Sequence, residues 1–193
     1  RAEKQATRVM IEHSQLNTHK ESHVGHGRNI CLGDSLVRLF RYCGYQTIAT
    51  NYPGDEGTHI AKCLWMLRKN DLQPPQDRRG AWLGKIYAQA DRTLKEAAAE
   101  QRLIYDREIS EILAAIESKK GEIFELWKTT RQWSLDDFDA IYDLMDVHFD
   151  TYFFESEVSG ESQKIVDEYL DKKIFVEDQG AIGVDLKEYK LGF

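Results

Sequence analysis

The chain has 193 residues, with 26 Lys and Arg against 33 Asp and Glu, a net charge of −7, and 41% hydrophobic and 31% charged residues. That balance suits a folded globular protein with one sizeable core and excludes disorder as its main state. It also excludes a broad nucleic-acid surface, which needs clustered Lys and Arg, so an RNA partner would find only local contacts here and no DNA partner is expected.

The first predicted element is a strand over residues 7–13, a short β-branched and apolar run. A polar loop over 14–22 leads to a helix that places Ile30, Gly33, Val37, Phe40 and Cys43 on one face, with Gly44 at its C-terminal stop. A second strand is predicted over 46–50. Strand, loop, helix and strand in this order make a βαβ unit, hence a parallel sheet with a right-handed crossover. The turn Asn51-Tyr52-Pro53-Gly54-Asp55 precedes a helix through Ile60, Leu64 and Leu67, which Pro74-Pro75 breaks. Helices follow over 82–100 and 103–118, and Ser134 with Asp137 reads as a capping pair opening a helix through Phe138, Ile141, Tyr142 and Met145. Residues 149–154 partly alternate and read as a strand. A helix with Ile165, Val166, Tyr169 and Leu170 comes next, then short strands near 174–176 and 181–186.

The apolar runs are too short to span a bilayer, and no charged-then-apolar leader follows Arg1, so a cytoplasmic location is expected. Cys31, Cys43 and Cys63 lack a CxxC pair, which suits a reducing compartment. They read as buried small hydrophobes. His59 and Cys63 could share a helix face, but no second close pair completes a site, so no structural metal is expected. The tryptophans read as core or domain contacts, and His13, His19, His59 and His148 as structural or exposed. Both ends look cut, since no initiator Met is present and Tyr189-Lys190-Leu191-Gly192-Phe193 stops without a cap.

The chemistry concentrates in Lys20-Glu21-Ser22-His23-Val24-Gly25-His26, between the first strand and the first helix. In open α/β sheets this carboxyl edge is where ligands bind, and a helix N-terminus offers free N–H groups to phosphate. Two imidazoles three residues apart can donate to phosphoryl oxygens, and a glycine between them lets a flat base approach. Taken singly, Glu12 and Lys20 read more simply as solvated surface charges.

The string Val9-Met10-Ile11-Glu12-His13-Ser14-Gln15-Leu16-Asn17-Thr18-His19-Lys20, followed by His23-Val24-Gly25-His26, resembles the V-x-x-E-[YF]-S-S-P-N-x-x-K-x-x-H-V-G-H stretch of arginyl-tRNA synthetases. Asn51-Tyr52-Pro53-Gly54-Asp55-Glu56-Gly57-Thr58 is similar to that family's N-H-V-G-D-W-G-T. Leu126-Trp127-Lys128 to Trp133-Ser134-Leu135, and Phe149-Asp150 to Glu155-Ser156-Glu157, resemble it further. Gln15 and Leu16 depart from the usual Ser and Pro, and Glu56 from Trp. The resemblance implies a Rossmann-like, parallel-sheet α/β core over 1–75 with a mainly helical insertion over 76–193, truncated. It implies ATP as substrate accompanied by Mg2+, with L-arginine and tRNA(Arg) as partners. His23, His26 and Lys20 would act on the phosphates and Gly25 would lie beneath adenine. Glu12 would meet the guanidinium, and Gln15, Leu16, Asn17 and His26 would border arginine. Another HxGH nucleotidyltransferase and a non-catalytic nucleotide-binding module are the alternatives. In the family a later Tyr- and Asp-bearing segment and a KMSKS-type loop complete the site. Neither occurs before Phe193, so this chain alone is expected not to make arginyl-tRNA.

Overall fold

A computed structural model gives the architecture, and the structure describes residues 3–178, 181–184 and 186. The predicted βαβ unit is present as β1 (Arg8–Glu12), α1 (Val24–Tyr42) and β2 (Gln46–Asn51). The two strands pair in parallel, with Arg8 opposite Gln46 and Glu12 opposite Thr50. The segment predicted as a strand over 149–154 joins the other side of β2 in parallel, but only Thr151–Tyr152 form ladder pairs, giving β3. Flanking amides lengthen the contact, since Asp150 N–H donates to Ala49 O at 2.8 Å and Phe153 N–H to Asn51 O at 3.0 Å. The sheet order is β1-β2-β3, so all three carboxyl ends lie on one edge.

Helix α1 buries Ile30, Gly33 and Val37 against this sheet. Gly33 is required there, because a Cβ would stand 2.1 Å from carbons of His13, whose ring packs 4.6 Å from that of Phe149. Gly44 ends the helix as predicted, left-handed at φ 89, and lets Tyr45 N–H reach back to Phe40 O.

Four helices follow: α2 (Thr58–Lys69), α3 (Arg79–Glu96), α4 (Ala99–Glu117) and α5 (Gly121–Leu144). They share an apolar core that includes Leu64, Trp65, Leu83, Ile112 and Trp127. The predicted cap at Ser134 is not found. α5 runs unbroken through it, because residues 122–133 are already helical and elongating a helix is far easier than starting one. The break lies earlier, at left-handed Lys119 and Gly121. Asp137 does cap a helix, but it is α3, accepting from Ala81 N–H at 2.8 Å. Of the cysteines only Cys63 is buried, with its thiol pushed up to about 12 by burial; Cys31 is exposed on α1, and Cys43, expected on the packed face, is half-buried as the residue that caps the helix. Trp65 and Trp127 are buried, while Trp82 and Trp133 are half-buried and tilt against each other.

Contacts group the chain into two compact units, Arg1–Glu155 and Ser156–Phe193, and the expected boundary near residue 75 falls between α2 and α3, within the first. The second unit holds most of α6 (Glu155–Asp171) and an antiparallel hairpin of β4 (Val176–Asp178) and β5 (Ala181–Gly183). The strands predicted at 174–176 and 181–186 correspond to this hairpin, although residue 185 and the terminal segment 187–193 lie outside the described residues. Among the described residues no helix is long and apolar enough to cross a membrane.

Candidate active site

The loop between β1 and α1 crosses the carboxyl edge of the sheet in an unusual conformation. Ser14, Gln15 and His19 all have left-handed backbones, with φ of 77, 59 and 60. Such residues cost on the order of 1–3 kcal/mol each and persist only where surrounding contacts dictate them. Those contacts come from three directions. A 2.7 Å hydrogen bond joins the hydroxyls of Ser14 and Tyr142, and Gln15 N–H donates to Asn51 Oδ1 at 3.1 Å. Leu16 O accepts from Gly54 N–H at 3.0 Å, and Thr18 N–H donates to Gly54 O at 2.8 Å. His19 N–H donates to Ser134 Oγ at 3.0 Å.

The fully buried His19 ring is satisfied on both sides, by Thr130 Oγ1 at 2.7 Å and Thr18 Oγ1 at 3.0 Å. The Thr130 hydroxyl donates to Leu126 O, so its oxygen accepts from His19 Nε2–H, and Nδ1 accepts from Thr18. The ring is therefore neutral, and burial, reinforced by nearby His59, lowers its pKa to about 3.

His23 and His26 interlock at the start of α1. His23 is the N-cap, its Nδ1 accepting from Gly25 N–H at 3.1 Å, while its own N–H donates to His26 Nδ1 at 3.2 Å. With both Nδ1 atoms accepting, each neutral ring carries its proton on Nε2. The rings stack with centroids 3.9 Å apart. Burial, then the neighbouring His23 and Lys20, lowers the His26 pKa and keeps that ring neutral at physiological pH. Gly25 leaves room for this stack, since a Cβ would lie 2.9 Å from His23 Cε1. The first turn of α1 contains no acidic residue to compete with an anion.

Lys20 is the cation beside this cap, its Nζ 5.5 Å from the Tyr87 ring centroid. The backbone of Glu21 is pressed on α3 at Gly84, where a Cβ would approach Glu21 N to 2.5 Å. Helix α3 thus fixes the height of the segment carrying Lys20. A cavity of about 280 Å³ opens beside it, lined by Lys20, Ser22, Arg78, Asp137 and Ile141 among others.

The predicted amino-acid side lies along the same loop. Glu12 is exposed at the end of β1 and accepts a hydrogen bond from Gln15 Nε2. The Asn17 side chain lies over Gly54, where a Cβ would stand 2.3 Å from Asn17 Oδ1. The Leu16 side chain is turned into the core beside Ile30 and Phe138, which leaves only its backbone to face a ligand. Tyr52 gathers carboxylates: burial first, then Glu155, Asp55, Glu12 and Glu56, raises its pKa.

Several supporting residues were not anticipated. Asp55 is fully buried, accepts from Arg131 Nε at 2.6 Å, and through its carbonyl from Trp127 Nε1 at 3.0 Å. The Arg131 guanidinium lies 4.0 Å from the Phe154 ring centroid. Tyr142 ties Ser14 to Asn51, whose Nδ2 donates to its hydroxyl at 2.9 Å. The one signal in the sequence was the four-residue spacing of Thr130, Ser134, Phe138 and Tyr142, all buried on α5.

The model of the family described as "tRNA synthetases class I (R), catalytic domain" matches residues 1–192. An arginine–tRNA ligase of Bdellovibrio bacteriovorus is 44% identical over 189 residues, covering 96% of this chain and 32% of the relative. One from Halothermothrix orenii is 31% identical, over 95% of this chain and 32% of its own. Among solved structures, the Thermus thermophilus arginyl-tRNA synthetase superposes with a TM-score of 0.70 at 27% identity, covering 98% of this chain and 32% of that one. The Plasmodium falciparum arginyl-tRNA synthetase shares the fold at a TM-score of 0.67 and 22% identity, over 94% and 30%. The chain thus spans about a third of the length of these relatives, 32% in the first two. With its matched model covering nearly every residue and its parallel sheet shared with the solved synthetases, the chain belongs to the class I (R) tRNA synthetase catalytic-domain family.

Proposed function

We propose that this chain holds ATP and L-arginine for the activation step of an arginine–tRNA ligase, in which arginyl-adenylate forms and its arginyl group then passes to tRNA(Arg). The observation that carries the reading is the reciprocal His23–His26 cap at the N-terminus of α1, which follows the carboxyl end of β1 in a parallel sheet and leaves an Nε2–H on each ring for a ligand. An oxygen of the arginine carboxylate attacks the α-phosphorus of ATP. A carboxyl–phosphate bond forms as the bond to the β-phosphate oxygen breaks, and pyrophosphate leaves. Charge grows on the phosphoryl oxygens, where donors already in place stabilise it without reorganising. His23 and His26 donate there, Lys20 offsets phosphate charge, and Gly25 leaves its face open to adenine. Glu12, oriented by Gln15, meets the guanidinium, whose planar fork suits a carboxylate. Asn17 and the Gln15–Leu16 backbone border the rest of arginine, with His26 between the two substrates. Mg2+ would accompany the nucleotide, carried on its phosphates. A cytoplasmic location fits this role.

Calorimetric titration with arginine, lysine and citrulline, each with and without a non-hydrolysable ATP analogue, tests the proposal. Arginine binds best, and citrulline, which lacks the charge but keeps the shape, binds at least about tenfold more weakly. Equal affinity for citrulline and arginine overturns the assignment of Glu12 and the ligase reading with it.

A further inference from the structure

The strained β1–α1 loop meets α5 at both of its ends. Thr130, Ser134 and Tyr142 lie on one buried stripe of that helix, and four-residue spacing puts them on a single face. At one end, the Tyr142 hydroxyl holds Ser14 at 2.7 Å and Asn51 at 2.9 Å, and Asn51 in turn accepts from Gln15 N–H. Gln15 is the residue that bonds Glu12. At the other end, Thr130 holds the His19 ring at 2.7 Å, next in sequence to Lys20. Twelve residues of helix separate the two anchors, about 18 Å along its axis. Midway, Gly54 pairs with both Leu16 and Thr18, a third anchor between the two ends.

We propose that Tyr142 and Thr130 are positioning residues for separate halves of the site. Tyr142 sets the Glu12–Gln15 side for the substrate guanidinium, and Thr130, acting through His19, sets Lys20 for the phosphates. The inference rests on the ligase reading above. It goes further by making one helix of the insertion the template for both substrates, with independent points of action. A brace that merely stabilised the fold would weaken both functions together when either contact was lost, and that difference is measurable.

The test uses Tyr142→Phe, Thr130→Val and Thr130→Ser in this 193-residue chain, read by amide hydrogen exchange at Gln15 and His19 and by NMR titration with L-arginine and with a non-hydrolysable ATP analogue. Tyr142→Phe removes one hydroxyl from an otherwise filled position. It should speed exchange at Gln15 and raise the arginine Kd about tenfold or more, since the hydrogen bonds to both Ser14 and Asn51 are lost, with the nucleotide Kd unchanged. Thr130→Val should do the reverse, and Thr130→Ser, which keeps the hydroxyl, should restore the unmodified values. Parallel loss of both affinities in either variant, or no change of exchange at either amide, overturns the inference alone. If the unmodified chain binds neither ligand, the reading that this segment holds ATP and arginine falls, and this inference with it.

Discussion

Acidification should unfold this protein partly through His19, and the size of the effect follows from its surroundings. The ring is completely buried and hydrogen-bonded as the neutral form, with its pKa lowered to about 3 from 6.5. In the unfolded chain it titrates normally. Between the two values the unfolded state therefore binds the extra proton, and stability falls as pH drops below about 6.5. Each pH unit within that window costs about 1.4 kcal/mol, so going from about pH 7 to about pH 5 removes about 2 kcal/mol through this residue. His19→Gln keeps a donor and an acceptor but takes up no proton. At neutral pH the variant should be less stable by about 1–2 kcal/mol, because amide geometry cannot reproduce both imidazole bonds. At about pH 5 that deficit should disappear. Urea denaturation followed by tryptophan fluorescence at both pH values measures the difference, with buried Trp65 and Trp127 as reporters. If the unmodified chain and the variant lose the same stability on acidification, the buried, neutral assignment of His19 is wrong. His59, lowered to about 4 by burial and by Lys20, acts in the same direction and is common to both proteins, so it cancels from the comparison.

In a complete ligase carrying this segment, His26→Ala should slow arginine-dependent pyrophosphate exchange about a hundredfold through loss of a placed donor, whereas Glu12→Gln should mainly raise the KM for arginine; an unchanged exchange rate in His26→Ala would remove it from the phosphate site. Gly33→Ala should destabilise the chain by about 2 kcal/mol or more, since the added Cβ meets His13 at 2.1 Å and backbone rather than a mobile side-chain tip must yield; a thermal melt like that of the unmodified chain would show that α1 does not rest on His13.

Local signals in the sequence were enough for the βαβ unit and for the place of His23, Gly25 and His26 within it. A β-branched run, a helical apolar face ending at Gly44 and a second strand each carry their own periodicity, and order along the chain then dictates a parallel pair with its loop at the carboxyl edge. Helices α2, α3 and α4 were legible for the same reason, whereas α5 runs as one helix from Gly121 through the start predicted at Ser134. What the sequence could not display was how α5 holds the β1–α1 loop. Ser134 and Asp137 follow the spacing of a helix cap, yet their partners are His19 and Ala81, far away in sequence and near only after folding. Tyr142 is 128 residues from Ser14, and Arg131 is 76 from Asp55. Such contacts leave no period in the chain, because a hydrogen bond depends on where two atoms meet and not on how many residues lie between them. The left-handed backbones of Ser14, Gln15 and His19 were hidden likewise: no glycine marks them, since tertiary hydrogen bonds rather than local preference impose that conformation. The sequence by itself therefore determined which residues stand at the edge of the sheet, and only the packing of α5 beneath them decided the shape in which they are held.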